Sequence, residues 1–164
     1  VIAKPEIITA IGALNSIVAL ASGSMGQVLG ESMLRSGELK TLADTAVQPF
    51  YRDRLNRAKD VVFEAFGSRP WRMHRSEGAL FLWLYLERLT VPATELYRRL
   101  KDRGVIVVPG EYFFFGREEG TDEEVAWKTH PHREKCLRIN YSGDPELVHE
   151  GLRILAEVSA ELEQ

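Results

Sequence analysis

The sequence predicts an α/β protein, in which long N-terminal helices lead into a small mixed sheet flanked by helices, an α+β domain in layer terms. Three observations carry this. Apolar residues up to Phe66 recur at helical spacing; from Gly67 the period falls to two in short runs; and those runs alternate with segments that open on Pro and close on Gly.

Pro5 followed by Glu6 suits a first helical turn, where Pro lacks only an orphan donor and an acid complements the positive helix end. Ile7, Ile8, Ile11, Leu14, Ile17 and Val18 then form a stripe at helical spacing. Ser22-Gly23-Ser24 interrupts it before Gln27, Val28, Leu29, Met33 and Leu34 resume, so two helical pieces are expected. Ser36-Gly37 is a break. A long amphipathic helix follows from Leu39 to Phe66, kinked at Pro49. These breaks divide the chain into a helical segment over residues 1–37 and a domain over 38–164.

Trp71 to His74 reads as a short strand and Gly78 to Leu86 as a longer one. In the second, Phe81, Trp83 and Tyr85 alternate with Leu80, Leu82, Leu84 and Leu86, which predicts a central strand covered on both faces. Leu96 to Leu100 is helical, with Gly104 at the left-handed C-cap position. Val105 to Val108 follows as a strand that Pro109-Gly110 stops. Gly116 to Arg133 is polar and aperiodic, which predicts a surface loop or lid around Trp127. Cys136 to Tyr141 is the last strand, with Leu137, Ile139 and Tyr141 toward the core and Arg138 on the other face. Asp144-Pro145-Glu146 supplies an N-cap, a first-turn Pro and an acid for a closing helix through Leu162.

With 164 residues, 45% of them hydrophobic, the chain can bury one sizeable core. A net charge of -3 with dispersed basic residues gives no footprint for phosphate backbones, so no nucleic-acid partner is expected. The longest apolar run is too short to cross a bilayer, so no membrane partner is expected either. The single Cys136 and the lack of a charged-then-apolar leader fit a cytoplasmic location. The start at Val1-Ile2-Ala3, without Met, reads as a piece of a longer polypeptide.

Arg138 is the candidate site residue, because a lone arginine in a short apolar strand needs an anion. Three answers are open at this level: a bound carboxylate, an internal Asp or Glu, or a side chain snorkelling from an edge strand. His130, His132 and Cys136 have a spacing of metal ligands, but they are only three and the last opens a strand, so no metal site is expected.

Glu77-Gly78-Ala79-Leu80-Phe81-Leu82-Trp83-Leu84, Glu95-Leu96-Tyr97-Arg98-Arg99-Leu100-Lys101, Arg103-Gly104-Val105, Val108-Pro109-Gly110-Glu111-Tyr112-Phe113-Phe114 and Leu137-Arg138-Ile139-Asn140-Tyr141 add up to a resemblance. In this order they resemble the C-terminal part of a fold-type I pyridoxal-phosphate-dependent aminotransferase of class I/II, and within that family the valine–pyruvate aminotransferases in particular. The resemblance covers nearly the whole chain. It implies a transferase that moves an amino group between a small aliphatic amino acid, valine or alanine, and a 2-oxo acid such as pyruvate. It also implies pyridoxal 5'-phosphate as cofactor, a homodimer, and Arg138 as the clamp on the substrate α-carboxylate. The family's Schiff-base lysine is expected upstream of Val1, so this chain carries no catalytic lysine and is expected to be inactive alone, without tight cofactor binding. Tyr112 is a candidate for the substrate pocket. Ser22 and Ser24 are candidates for a small-residue turn reaching toward the neighbouring subunit. Two other readings fit the same resemblance: an aminotransferase-like ligand-sensing domain of a transcriptional regulator, and a non-catalytic dimerisation scaffold.

Overall fold

The computed structural model describes residues 2–19, 25–114, 120 and 122–163, which fall into two compact units divided between Thr45 and Ala46. In the first, helix α1 spans Pro5–Val18, with Pro5 in its first turn, and α2 spans Met25–Ser36. Gly37, at φ 78°, makes the left-handed break before the short helix α3, Glu38–Leu42. The apolar stripe of α1 forms as its spacing demands, and it is exposed: Ile7, Ile11, Leu14 and Ile17 all lie open to solvent.

A π turn over Ala43–Val47 leads into α4, Gln48–Phe66. Pro49 explains it. A proline has no N–H and its ring crowds the carbonyl four residues back, so the preceding turn widens where Pro49 was expected to kink the helix. Leu55, Ala58, Val61, Val62 and Phe66 then bury one face of α4.

The sheet of the second unit has four strands in the order β1-β2-β4-β3: β1 Trp71–Met73, β2 Phe81–Leu86, β3 Val108–Pro109 and β4 Cys136–Asn140. Every pairing is antiparallel, where a mixed sheet was expected. The connection from β2 through α5 (Ala93–Asp102) does bring β3 back in the same direction, but β4 inserts between the two and runs against both. Leu82, Leu84 and Leu86 of β2 and Leu137 and Ile139 of β4 enter one core with α4, α5 and α8, Pro145–Ala160. The opposite face is not fully covered. Phe81, Trp83 and Tyr85 remain half-buried there, which corrects the expectation of a strand sealed on both sides.

Further boundaries differ from the sequence reading. The expected strand from Val105 shrinks to Val108–Pro109 because α5 ends in a Schellman motif: the Gly104 N–H donates to Lys101 O at 3.0 Å and the Val105 N–H to Leu100 O at 2.8 Å. The donor the sheet would need at Val105 is thus taken by the helix cap, and Ile106 is left exposed. The segment read as a loop up to Arg133 contains two helices, α6 at Asp122–Lys128 and α7 at Pro131–Lys135. Pro131 stands in the first turn of α7, and His130 caps it through Nδ1, which accepts the His132 N–H at 3.1 Å. At the other end of the sheet β2 starts at Phe81 rather than Gly78, since Ala79 adopts φ 64°. The Tyr141 hydroxyl donates to Ala79 O at 2.6 Å and holds that turn. Burial pushes this hydroxyl above its ordinary range and keeps it a donor.

α8 opens as the sequence predicts, with the Asp144 carboxylate accepting from the Glu146 and Leu147 N–H groups at 3.0 and 3.3 Å. Its far end is held by an arginine that sequence reasoning did not single out. Arg69 donates to both carboxylate oxygens of Glu163 at 3.0 and 2.6 Å, to Ser159 Oγ at 2.7 Å and to Ala156 O at 2.7 Å. Its side chain is 23% exposed and that of Glu163 10%, so replacing Arg69 by Ala strands a mostly buried carboxylate. Arg69→Ala is expected to destabilise the protein by about 3 kcal/mol in urea denaturation. A loss under about 0.5 kcal/mol, the range of ordinary surface substitutions, would show that the pair only decorates the surface.

Candidate functional site

β4 lies inside the sheet, so a side chain on its outward face is flanked from both sides. Arg138 points outward between two core residues, in register with Trp83 of β2 and Val108 of β3. Its guanidinium carbon stands 4.2 Å from the ring centre of Phe81 and 5.0 Å from that of Phe113. Phe113 in turn meets Trp83 edge-to-face, with ring centres 5.1 Å apart at 86°.

Arg138 differs from Arg69 in what satisfies it. Where Arg69 has its donors bound by protein oxygens, Arg138 pairs with no carboxylate among the described residues, and its buried Nε has no hydrogen-bond partner. The snorkelling alternative fails on position, because β4 is an inner strand and the side chain is half-buried. A cation held against two aromatic rings with its buried Nε unsatisfied is equipped to receive a planar anion.

Phe113 belongs to a turn of 3₁₀ helix, Gly110–Phe113, packed against α7. A Cβ on Gly110 would lie 2.2 Å from His132 O, 2.9 Å from Arg133 O and 3.2 Å from Cys136 O, so glycine is required here by close backbone approach. Tyr112 is 62% exposed and is neither core nor stacked on the arginine. Ser22 and Ser24 lie outside the described residues. His130 and His132 have ring centres 5.1 Å apart, with His132 against Tyr85 and His130 against Phe114. Cys136 is fully buried, and burial pushes its thiol up to about 12, so it is held neutral. Among the described residues no group of three His, Cys, Asp or Glu side chains is arranged to hold a metal ion.

The model of one family, aminotransferase class I and II, matches residues 1–155. This chain belongs to that family. The class I and II aminotransferases similar to it include the valine–pyruvate aminotransferase of Escherichia coli K12, 37% identical over 157 residues that make up 96% of this chain and 36% of that protein. Among solved structures, a putative amino-acid aminotransferase from Psychrobacter arcticum superposes with a TM-score of 0.79 at 31% identity, covering 98% of this chain and 35% of the other. The valine–pyruvate aminotransferase of Salmonella typhimurium gives 0.78 at 37% identity, covering 98% and 39%. The chain thus spans little more than a third of the length of these aminotransferases.

Within the aminotransferase framework, sequence reasoning located Arg138 and its face of the sheet but not the rings around it. Phe81 was legible as one of three alternating aromatics. Phe113 was not, since a run of four aromatics from Tyr112 to Phe115 carries no periodicity that says which ring turns inward.

Proposed function

We propose that this chain supplies the substrate-carboxylate site of a pyridoxal-phosphate-dependent aminotransferase that moves an amino group between a small aliphatic amino acid, valine or alanine, and a 2-oxo acid such as pyruvate. The observation that carries this reading is the unpartnered Nε of Arg138 on a guanidinium held against Phe81 and Phe113. Likeness to two valine–pyruvate aminotransferases supports the substrate class.

A planar guanidinium can take both carboxylate oxygens at once, which fixes the position and the rotation of the amino acid about its Cα–carboxyl bond. Orientation at Cα then decides which bond is presented for cleavage, and the same clamp serves the 2-oxo acid in the return half of the reaction. Pyridoxal 5'-phosphate, when bound, supplies the sink for electrons released at Cα. Two of the chain's lysines are engaged away from Arg138: Lys135, the nearest to it in sequence, donates its amine to Glu87 O at 2.8 Å, and the Lys40 amine pairs with Asp44. The contribution of this chain is the carboxylate end of the substrate.

The test is to incubate the aminotransferase that carries this chain, loaded with pyridoxal 5'-phosphate, with L-valine and pyruvate, and to follow L-alanine and 2-oxo-3-methylbutanoate by chromatography. Equimolar appearance of both is expected, and none from the 164-residue chain alone. Failure of the loaded enzyme to aminate pyruvate from any small aliphatic amino acid would sink the reading.

A further inference from the structure

We propose that Phe81 and Phe113 are positioning residues whose rings hold the Arg138 guanidinium without accepting its N–H donors, which stay free for the substrate carboxylate. The inference rests on the carboxylate-clamp reading of Arg138 and says how the clamp is kept open. An arginine this deep in a protein is ordinarily fixed by carboxylates or carbonyls, which occupy the same N–H groups a ligand would need; Arg69 in this molecule is the example. Aromatic faces attract the cation through their quadrupole and accept none of the in-plane donors. With ring centres at 4.2 and 5.0 Å, the two phenylalanines restrain Arg138 without competing for the carboxylate.

Each ring is itself held in place. Phe81 begins β2 opposite Asn140, which makes it a diagonal neighbour of Arg138, and the turn before it is fastened by Tyr141 to Ala79 O at 2.6 Å. Phe113 is oriented by its edge-to-face contact with Trp83, ring centres 5.1 Å apart, and by the turn whose Gly110 packs on the backbone of α7. These supports come from separate segments of the chain, so each ring is held independently of the other.

The experiment is steady-state kinetics on the pyridoxal-phosphate-loaded aminotransferase carrying Phe81→Leu, Phe113→Leu, Phe113→Tyr and Arg138→Ala, singly and with each Leu variant combined with Arg138→Ala. Each Leu variant is expected to raise KM for L-valine and for pyruvate about fivefold with little change in kcat, and Phe113→Tyr, which keeps the ring face, to stay near the parent. In the Arg138→Ala background the Leu changes are expected to have no further effect, because they act through the arginine. Additive effects in that background would overturn the proposal and mean that the rings meet the substrate directly. Unchanged KM in both Leu variants, with Arg138→Ala still impaired, would overturn it while sparing the clamp; an unimpaired Arg138→Ala would remove the clamp itself. Should Phe81→Leu fail to fold, judged by circular dichroism, Phe113→Leu and its tyrosine counterpart decide alone.

Discussion

On the proposed carboxylate-clamp reading, Arg138→Ala in the aminotransferase that carries this chain is expected to lower kcat/KM for L-valine and for pyruvate by about 100- to 1,000-fold. The proposed clamp would lose two charge-assisted hydrogen bonds to one carboxylate together, about 3–4 kcal/mol, and each 1.4 kcal/mol is a factor of ten. The fold survives the change. Among the described residues no carboxylate pairs with Arg138, so the expected cost to stability is that of lost contact with Phe81 and Phe113, about 1 kcal/mol or a Tm shift of about 3 °C. Arg138→Lys restores little, since an ammonium is a point charge without the planar fork. Kinetics with both substrates and a thermal melt on the same preparations check the claim. An Arg138→Ala enzyme of unchanged KM, or one that no longer folds, would show the arginine to be structural.

Gly110→Ala is expected to damage the fold and the surroundings of Arg138 together. The added methyl would sit 2.2 Å from His132 O and 2.9 Å from Arg133 O, whereas carbon–oxygen contacts settle at about 3.3–3.6 Å. Both opposing atoms are backbone, so no rotamer change relieves the clash, and α7 or the turn carrying Phe113 has to move. A loss on the order of 3 kcal/mol in urea denaturation is expected, together with a raised KM, because Phe113 is displaced from Arg138. The parent's urea midpoint, unchanged in the variant, would disprove the close approach. The reason for glycine here is contact rather than conformation, since Gly110 is not among the glycines of positive φ, which include Gly37, Gly67 and Gly104.

Much of this architecture was legible because its signals are local. The stripe of α1, the apolar face of α4, the alternation along β2 and β4 and the Asp144-Pro145 opening of α8 each follow from residues within a turn or a strand of one another. Errors fell where a neighbour distant in sequence, or a competing local bond, decided the outcome. Val105 carries a strand-like side chain, but its N–H closes the cap of α5. The polar stretch before β4 has little apolar periodicity, yet His130 and Pro131 start a helix there. Arg69 gave no sign in the sequence of the part it plays, because Glu163, Ser159 and Ala156 are brought to it only when α8 folds back.

The same division runs through the site. From the sequence alone Arg138 was placed on the face of its strand opposite Leu137 and Ile139, since a period of two leaves no other choice once those two are buried, and the structure made that strand an inner one. What stands beside it was decided by the tertiary structure. The register of β2 against β4 sets Trp83 opposite Arg138, and the close contact at Gly110 turns Phe113 toward the guanidinium while Tyr112 stays exposed. A strand pattern says which way a side chain points; only the packing of distant segments says what it meets, because the pairing of one strand with another is a long-range choice that no local propensity encodes.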